Sequence, residues 1–147
     1  MRTLSLSKGT YSKLLKPKKE KMKMLQSIFN FKRPMPGIQS PRSQVKQINA
    51  TELNQNLQNG QTPVLVDVRS PGEYNSDGHI AGSRLIPLQA LMQRFDELPK
   101  DQPIVCVCRS GSRSQVAAEQ LSQLGFANVS NLSGGMIGWH RSGLPSK

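Results

Sequence analysis

Two short apolar runs constrain the fold of this 147-residue chain more than any other feature. Val64 to Val66 and Ile104 to Val107 are rich in β-branched residues, are too short to be helices, and contain no alternating polar positions. Runs of this kind are typical of strands that are buried on both faces, and such strands occur mainly in parallel sheets. The sequence therefore predicts a parallel sheet with both of its faces covered.

Segments with helical spacing separate these two runs from further strand candidates. The additional strands are predicted at Val45 to Ile48, Leu85 to Pro87 and Asn128 to Leu132. Helices are predicted from Asn49 to Asn59, from Leu88 to Phe95 and from Ser112 to Gly125, the last with an apolar stripe of Val116, Ala117, Leu121 and Leu124. Strands that alternate with helices predict an α/β fold, with a central parallel sheet and helices on both faces.

The charge of the chain is concentrated before residue 45. Residues 1–44 hold eight Lys and three Arg against one Glu, and therefore carry ten of the eleven net positive charges. Two clusters of Pro, Gly and Ser end this segment without any hydrophobic periodicity. We predict a basic, disordered extension over residues 1–44 and a folded domain over residues 45–147. Because that domain is nearly neutral, nucleic-acid binding is not expected of it.

Several features bear on the location of the protein. No stretch approaches the roughly 20 consecutive apolar residues of a membrane span, and the N-terminus lacks the apolar core of a secretory signal. A disulfide between Cys106 and Cys108 would be badly strained, because a single residue separates them. We expect a soluble protein in the reducing cytoplasm. The Lys- and Ser-rich start leaves an organellar transit peptide open, and Met22 and Met24 leave a later translation start open.

A polar loop from Cys108 to Arg113 follows the second apolar run. In open α/β sheets, ligands bind beyond the carboxyl ends of the strands, where this loop begins. Backbone N–H groups of the loop and of the following helix can turn toward the sulfur, and such a setting lowers the pKa of a thiol. The loop therefore predicts a catalytic thiolate at Cys108, and its polar flank argues against burial of this side chain in apolar surroundings.

The rest of the loop is predicted to bind an anionic substrate. Two guanidinium groups would supply positive charge, the hydroxyl groups of Ser110, Ser112 and Ser114 would donate hydrogen bonds, and a glycine would give the backbone the freedom to curl. The predicted substrate-binding residues are Arg109, Ser110, Gly111, Ser112 and Arg113.

Other residues capable of chemistry are interpreted mainly as structural. Cys106 lies inside the apolar run and is assigned to packing, with a resolving thiol as the alternative. Asp67 and Arg69 end a neighbouring strand at the same sheet edge, and both a structural role and substrate contact are open for them. His79 is interpreted as part of a fixed turn, and Trp139 as an anchor in the core.

Three regions of the chain resemble the single-domain rhodanese family. Asp67 to Arg69, Glu73-Tyr74 and Gly78 to Ser83 resemble the first signature of that family. Cys108 to Arg113 resembles its active-site loop, and Gly134 to Trp139 resembles its closing segment. The resemblance runs from about residue 45 to the C-terminus and implies a rhodanese-like fold.

The resemblance also implies an activity. Cys108 would take a sulfane sulfur from a small anionic donor such as thiosulfate, hold it as a persulfide, and pass it to cyanide or a thiol. No metal or organic cofactor is implied. For Asp67 and Arg69 the resemblance implies a mainly structural role, in which charged hydrogen bonds tie loops together. The six-residue loop is typical of the sulfur-transferring members, whereas the related phosphatases and arsenate reductases have a loop one residue longer.

Two alternatives stay open. One is a cysteine-based phosphatase or arsenate reductase. The other is a persulfide relay or binding module, in which the basic extension docks a protein that donates or accepts sulfur.

Overall fold

The computed structural model describes residues 45–147, so the extension predicted over residues 1–44 lies outside the described residues. Within residues 45–147 the strands are β1 (Lys46–Ile48), β2 (Val64–Asp67), β3 (Arg84–Leu85), β4 (Ile104–Val107) and β5 (Val129–Leu132). The helices are α1 (Ala50–Gln58), α2 (Pro71–Ser76), α3 (Leu88–Arg94, followed by a 3₁₀ turn at Phe95–Glu97), α4 (Ser112–Gln123) and α5 (Gly135–Arg141). In this part of the chain, no helix has the length and apolar character needed to cross a bilayer.

The five strands form one sheet in the order β1-β5-β4-β2-β3. Every pair of neighbouring strands is parallel, which confirms the prediction from the two apolar runs. The central strand β4 lies between β5 and β2 and is buried along its whole length, because helices also cover both of its faces.

Two apolar layers cover the two faces of the sheet. Ile104 and Cys106 of β4 belong to one layer, and the alternate residues Val105 and Val107 belong to the other. The first layer receives Leu91 from α3 and Ala117, Ala118 and Leu121 from α4, whereas the second receives Leu53 from α1 and Met136 and Trp139 from α5. The predicted α/β fold with helices on both faces is confirmed, and Trp139 is a core residue.

Helix α2 is an element that the sequence analysis missed. The hydroxyl of Ser70 accepts a hydrogen bond from the N–H of Glu73, and the Glu73 carboxylate accepts one from the N–H of Ser70. Pro71 occupies the first helical position, where its missing N–H removes no helical hydrogen bond. This Ser-Pro-x-Glu pattern is a capping box and was the signal that could have found the helix.

One part of the predicted apolar stripe on α4 is wrong. The side chain of Val116 is 44% exposed, although it was expected to face the core. Ala118 is fully buried in its place. The face of α4 that packs on the sheet is therefore rotated from the predicted stripe, and small alanines allow the helix to approach closely.

Candidate active site

Cys108 lies immediately beyond β4, at the carboxyl edge of the sheet where the sequence predicted it. The chain then turns through Gly111, whose φ of 102° lies in the left-handed region, and enters α4 at Ser112. A side chain at Gly111 would also meet the backbone of Leu132 and Gly134 at 3.2 Å. Glycine is therefore required here both for the backbone angle and for the available space.

Hydrogen-bond donors converge on the sulfur of Cys108. The N–H of Gly111 donates to Sγ over 3.0 Å, and the hydroxyl oxygen of Ser114 lies 3.2 Å from Sγ. Burial raises the pKa of the Cys108 thiol, but hydrogen bonds from the Ser114 hydroxyl and from the N–H groups of Ser114, Gly111 and Ser110 lower it more. The net effect is a pKa below that of an ordinary thiol, because the donors stabilise the charged form.

The carbonyl groups of the loop point away from the sulfur, toward helix α5. The N–H of Met136 donates to the carbonyl of Cys108 over 2.8 Å, and the N–H of Ile137 donates to the carbonyl of Arg109 over 3.0 Å. A Cβ atom added to Gly135 would overlap both of these carbonyl groups. Gly135 therefore lets the start of α5 contact the loop on the side opposite the sulfur, a role that the sequence analysis did not assign to it.

The side chain of Cys108 is fully buried, with 0% exposure, and belongs to the same apolar cluster as Val66, Val68 and Ile86. The expectation that the polar flank keeps this cysteine out of apolar surroundings is wrong. The apolar cluster contains the body of the side chain, and the loop caps the sulfur with polar donors. A reagent reaches the sulfur only when some covering group moves.

The two loop arginines differ in their surroundings. Arg113 donates to both carboxylate oxygens of Glu73, over 2.9 and 2.6 Å, so its charge is paired. This pair raises the pKa of Arg113 and lowers that of Glu73 to about 2, and Arg113 is the largest cause of the Glu73 shift. Arg109 is exposed. Of the two cations predicted to attract an anion, Arg113 is therefore partly neutralised by a carboxylate that the sequence analysis did not place at the site.

The two loop serines predicted as donors, Ser110 and Ser112, are both exposed. Their hydroxyl oxygens lie 3.2 Å apart, so they contact each other. The hydroxyl next to the sulfur belongs to Ser114 instead, one turn further along. The sequence analysis offered Ser114 as one of three hydroxyl donors but did not include it among the predicted substrate-binding residues, because it lies past the loop that carries the motif.

Asp67 and Arg69 form a buried ion pair at the neighbouring strand end. Their side chains are 0% and 1% exposed, and the Arg69 guanidinium donates to both carboxylate oxygens of Asp67. Arg69 also donates to the carbonyl of Gly78 over 2.8 Å. These contacts tie two connecting segments together, as the structural interpretation of the pair expects.

His79 takes part in a compact turn. Its ring stacks on Tyr74 with centroids 3.7 Å apart, and its backbone exchanges hydrogen bonds with that of Lys147. This geometry agrees with the structural interpretation of His79.

Cys106 lies inside β4, where its side chain is fully buried. Burial raises the pKa of this thiol to about 12, with a smaller contribution from the nearby Cys108. A thiol in this state stays protonated and unreactive at neutral pH, which supports the packing interpretation.

Comparison with known proteins gives a family match that includes Cys108, its loop and α4. The family model described as a rhodanese-like domain matches residues 49–142. A sulfurtransferase of Allochromatium vinosum is 41% identical over 101 residues, which cover 69% of this chain and 94% of that protein. The thiosulfate sulfurtransferase GlpE of Vibrio cholerae is 35% identical over 81 residues, covering 55% of this chain and 76% of the relative. The crystal structure of a rhodanese-related protein from Thermoplasma volcanium matches with a TM-score of 0.64 and 35% identity, covering 69% of this chain and 97% of that one.

Proposed function

The chain belongs to the rhodanese-like sulfurtransferase family, and from that premise we propose that it moves a sulfane sulfur from a small anionic donor such as thiosulfate to cyanide or a thiol. Cys108 is the proposed nucleophile and sulfur carrier. The observation that carries the proposal is the convergence of the Gly111 N–H and the Ser114 hydroxyl on the Cys108 sulfur.

The charge balance of sulfur transfer suits this site. The Cys108 thiolate attacks the outer sulfur of thiosulfate, the S–S bond of the donor breaks, and sulfite leaves with the electron pair. The product is a persulfide with one negative charge on its outer sulfur. Cyanide then attacks that sulfur, the new S–S bond breaks, and its electron pair returns to Cys108 Sγ as thiocyanate leaves. Backbone N–H groups aimed at the sulfur stabilise its negative charge without needing a histidine base.

Arrival of an anionic donor depends on charge at the loop surface. Exposed Arg109 is available for this role, because Arg113 is already paired with Glu73. Since Cys108 is fully covered, the donor must displace part of the cover before it reaches the sulfur. We further propose a reducing compartment such as the cytoplasm, because the attacking group must be a free thiolate.

The test is an intact-mass measurement after incubation with thiosulfate. We expect a mass increase of one sulfur atom, which cyanide removes. The increase should be absent in Cys108→Ser and present in the matched control Cys106→Ala. An increase that survives in Cys108→Ser and disappears in Cys106→Ala would overturn the assignment.

Two other outcomes would support the alternatives. If thiosulfate adds no sulfur but a persulfidated protein loads Cys108, the chain is a relay module. If Cys108-dependent hydrolysis of phosphate esters occurs without any persulfide, it is a phosphatase.

A further inference from the structure

The hydroxyl of Ser114 lies between two acceptors. Its Oγ is 3.2 Å from Cys108 Sγ and 2.6 Å from Oδ1 of Asn131, a residue of β5. The single hydroxyl hydrogen can serve only one of these acceptors well at a time. Ser114 is 0% exposed and Asn131 is 4% exposed, so bulk water does not replace a lost partner.

Other contacts fix the orientation of the Asn131 amide. The nitrogen Nδ2 lies 3.1 Å from the carbonyl oxygen of Gly111, and it also donates to Oε1 of Gln47 over 3.0 Å. A backbone carbonyl only accepts, so the nitrogen must be on that side and Oδ1 must face Ser114. Because Oδ1 also only accepts, the hydroxyl of Ser114 is the donor in the 2.6 Å contact.

We propose that Asn131 is a positioning residue that competes with Cys108 Sγ for the hydroxyl hydrogen of Ser114. The hydroxyl then donates to the sulfur only when the sulfur is negatively charged. In the thiol form, the S–H donates to Ser114 Oγ and the hydroxyl donates to Asn131. In the thiolate form, the hydroxyl turns to the sulfur, because a charged acceptor binds a donor more strongly than a neutral one. Oδ1 of Asn131 then loses its partner.

The consequence for catalysis rests on the proposed sulfur transfer. In the persulfide the negative charge is on the outer sulfur, Sγ is neutral, and the hydroxyl hydrogen returns to Asn131. When an acceptor removes the outer sulfur, the S–S electron pair moves to Sγ and the hydroxyl follows it. Ser114 then stabilises the leaving thiolate as its charge develops. At the stages in which Sγ is neutral, Asn131 accepts the hydroxyl hydrogen instead.

Other ionisable groups near the loop stay unchanged in the variants that test this inference. On α5, His140 and Arg141 lie at the end of the helix away from the loop. The other ionisable groups on these and neighbouring elements are Arg109, Arg113 and Glu119 on the loop and α4, Lys46 on β1, Arg94 on α3, Glu73 on α2, and Asp67, Arg69 and the Cys106 thiol at the neighbouring strands.

The test is a pH titration of the Cys108 thiolate by its ultraviolet absorbance, in the absence of any sulfur donor. For each variant, the absorbance of the same variant carrying Cys108→Ser is subtracted. Asn131→Leu should lower the pKa of Cys108 by roughly half to one unit, because the hydroxyl then has no competing acceptor. Ser114→Ala should raise it. In the Ser114→Ala background, Asn131→Leu should have no further effect. An equal shift in both backgrounds, or a raised pKa in Asn131→Leu alone, would overturn the proposal.

Two further variants guard against a general disturbance of the loop. Asn131→Ala should lower the pKa in the same direction, and it serves if the leucine variant does not fold. Gln47→Ala removes an acceptor of Nδ2 but leaves Oδ1 untouched, so it should not move the pKa. A Gln47→Ala shift as large as that of Asn131→Leu would refute the competition.

This titration also separates the inference from the proposed function. If Asn131→Leu lowers the pKa of Cys108 in a protein that forms no persulfide, sulfur transfer is rejected and the competition for the Ser114 hydroxyl stands. If persulfide forms normally but Asn131→Leu leaves the pKa unchanged, the competition is rejected and sulfur transfer stands.

Discussion

Cys106 and Cys108 lie two residues apart in one apolar layer, and neither side chain has any exposed surface. They differ in what surrounds the sulfur. Cys106 lies within β4, and burial raises its pKa to about 12. Cys108 lies just beyond the strand, where the loop turns backbone N–H groups toward the sulfur, and its pKa is lowered. Two equally buried thiols therefore differ in pKa because backbone N–H groups beyond the strand end donate hydrogen bonds to only one of them.

Alkylation is expected to give the largest difference between the two thiols. With a pKa of about 12, Cys106 has roughly one thiolate in 10⁵ molecules at pH 7. We expect iodoacetamide to label Cys108 at least about 1,000-fold faster than Cys106, measured by mass analysis of the two labelled sites. The rate at Cys108 should rise with pH and level off below the pH at which an ordinary thiol titrates. Both thiols should react similarly in denaturant, and comparable native rates would contradict the assignment.

Displacing the loop should affect Cys108 alone. Gly135→Ala places a methyl group against the carbonyl groups of Cys108 and Arg109, and should reduce persulfide formation about 100-fold, since small misplacements of a reacting group are costly. The rate of persulfide formation checks this prediction. Gly143→Ala is the matched control, because Gly143 also has a positive φ but open space around it. A similar loss in both variants would assign the effect to backbone strain.

The same substitution should cost different amounts at the two positions. Cys106→Ser buries a hydroxyl among apolar side chains and should lower the free energy of unfolding by about 2 kcal/mol. Cys108→Ser should cost less than about 1 kcal/mol, because the new hydroxyl can accept from the Gly111 N–H. Urea unfolding of both variants measures the difference, and equal losses would mean that the donors at Cys108 do not act on the side chain.

The sequence predicted the sheet, and the position of the Cys108 loop at its edge, because local patterns carry both. The β-branched runs of β2 and β4 specify buried strands, and the Cys108 loop follows a strand within a few residues. The predicted third strand was placed about one residue late: Leu85 to Pro87 was expected, whereas β3 is Arg84–Leu85. The segment is too short to show a period.

Contacts between residues that are far apart in the chain could not be predicted from the sequence. Arg113 and Glu73 are 40 residues apart, and no local pattern indicates that they pair. The same holds for Ser114 and Asn131, which meet only because α4 packs beside β5. The burial of Cys108 likewise depends on helices that pack over the sheet, whereas the flanking sequence reports only local polarity.

The charge beside Cys108 gives the smallest expected effect. Arg113, together with hydrogen bonds from Ser70, lowers the pKa of Glu73 from 4.5 to about 2, so the contribution of these contacts to stability is complete above pH 4.5 and is lost as the pH falls through about 2. Near neutral pH, Glu73→Gln should free Arg113 and lower the KM for thiosulfate about two- to threefold, a modest change because the pair is partly exposed and screened by salt. Glutamine can still complete the capping box of α2, and Ser70→Ala breaks that box while keeping the carboxylate, so Ser70→Ala should leave KM unchanged. A higher KM in Glu73→Gln would mean that Glu73 acts chiefly by holding the loop in place.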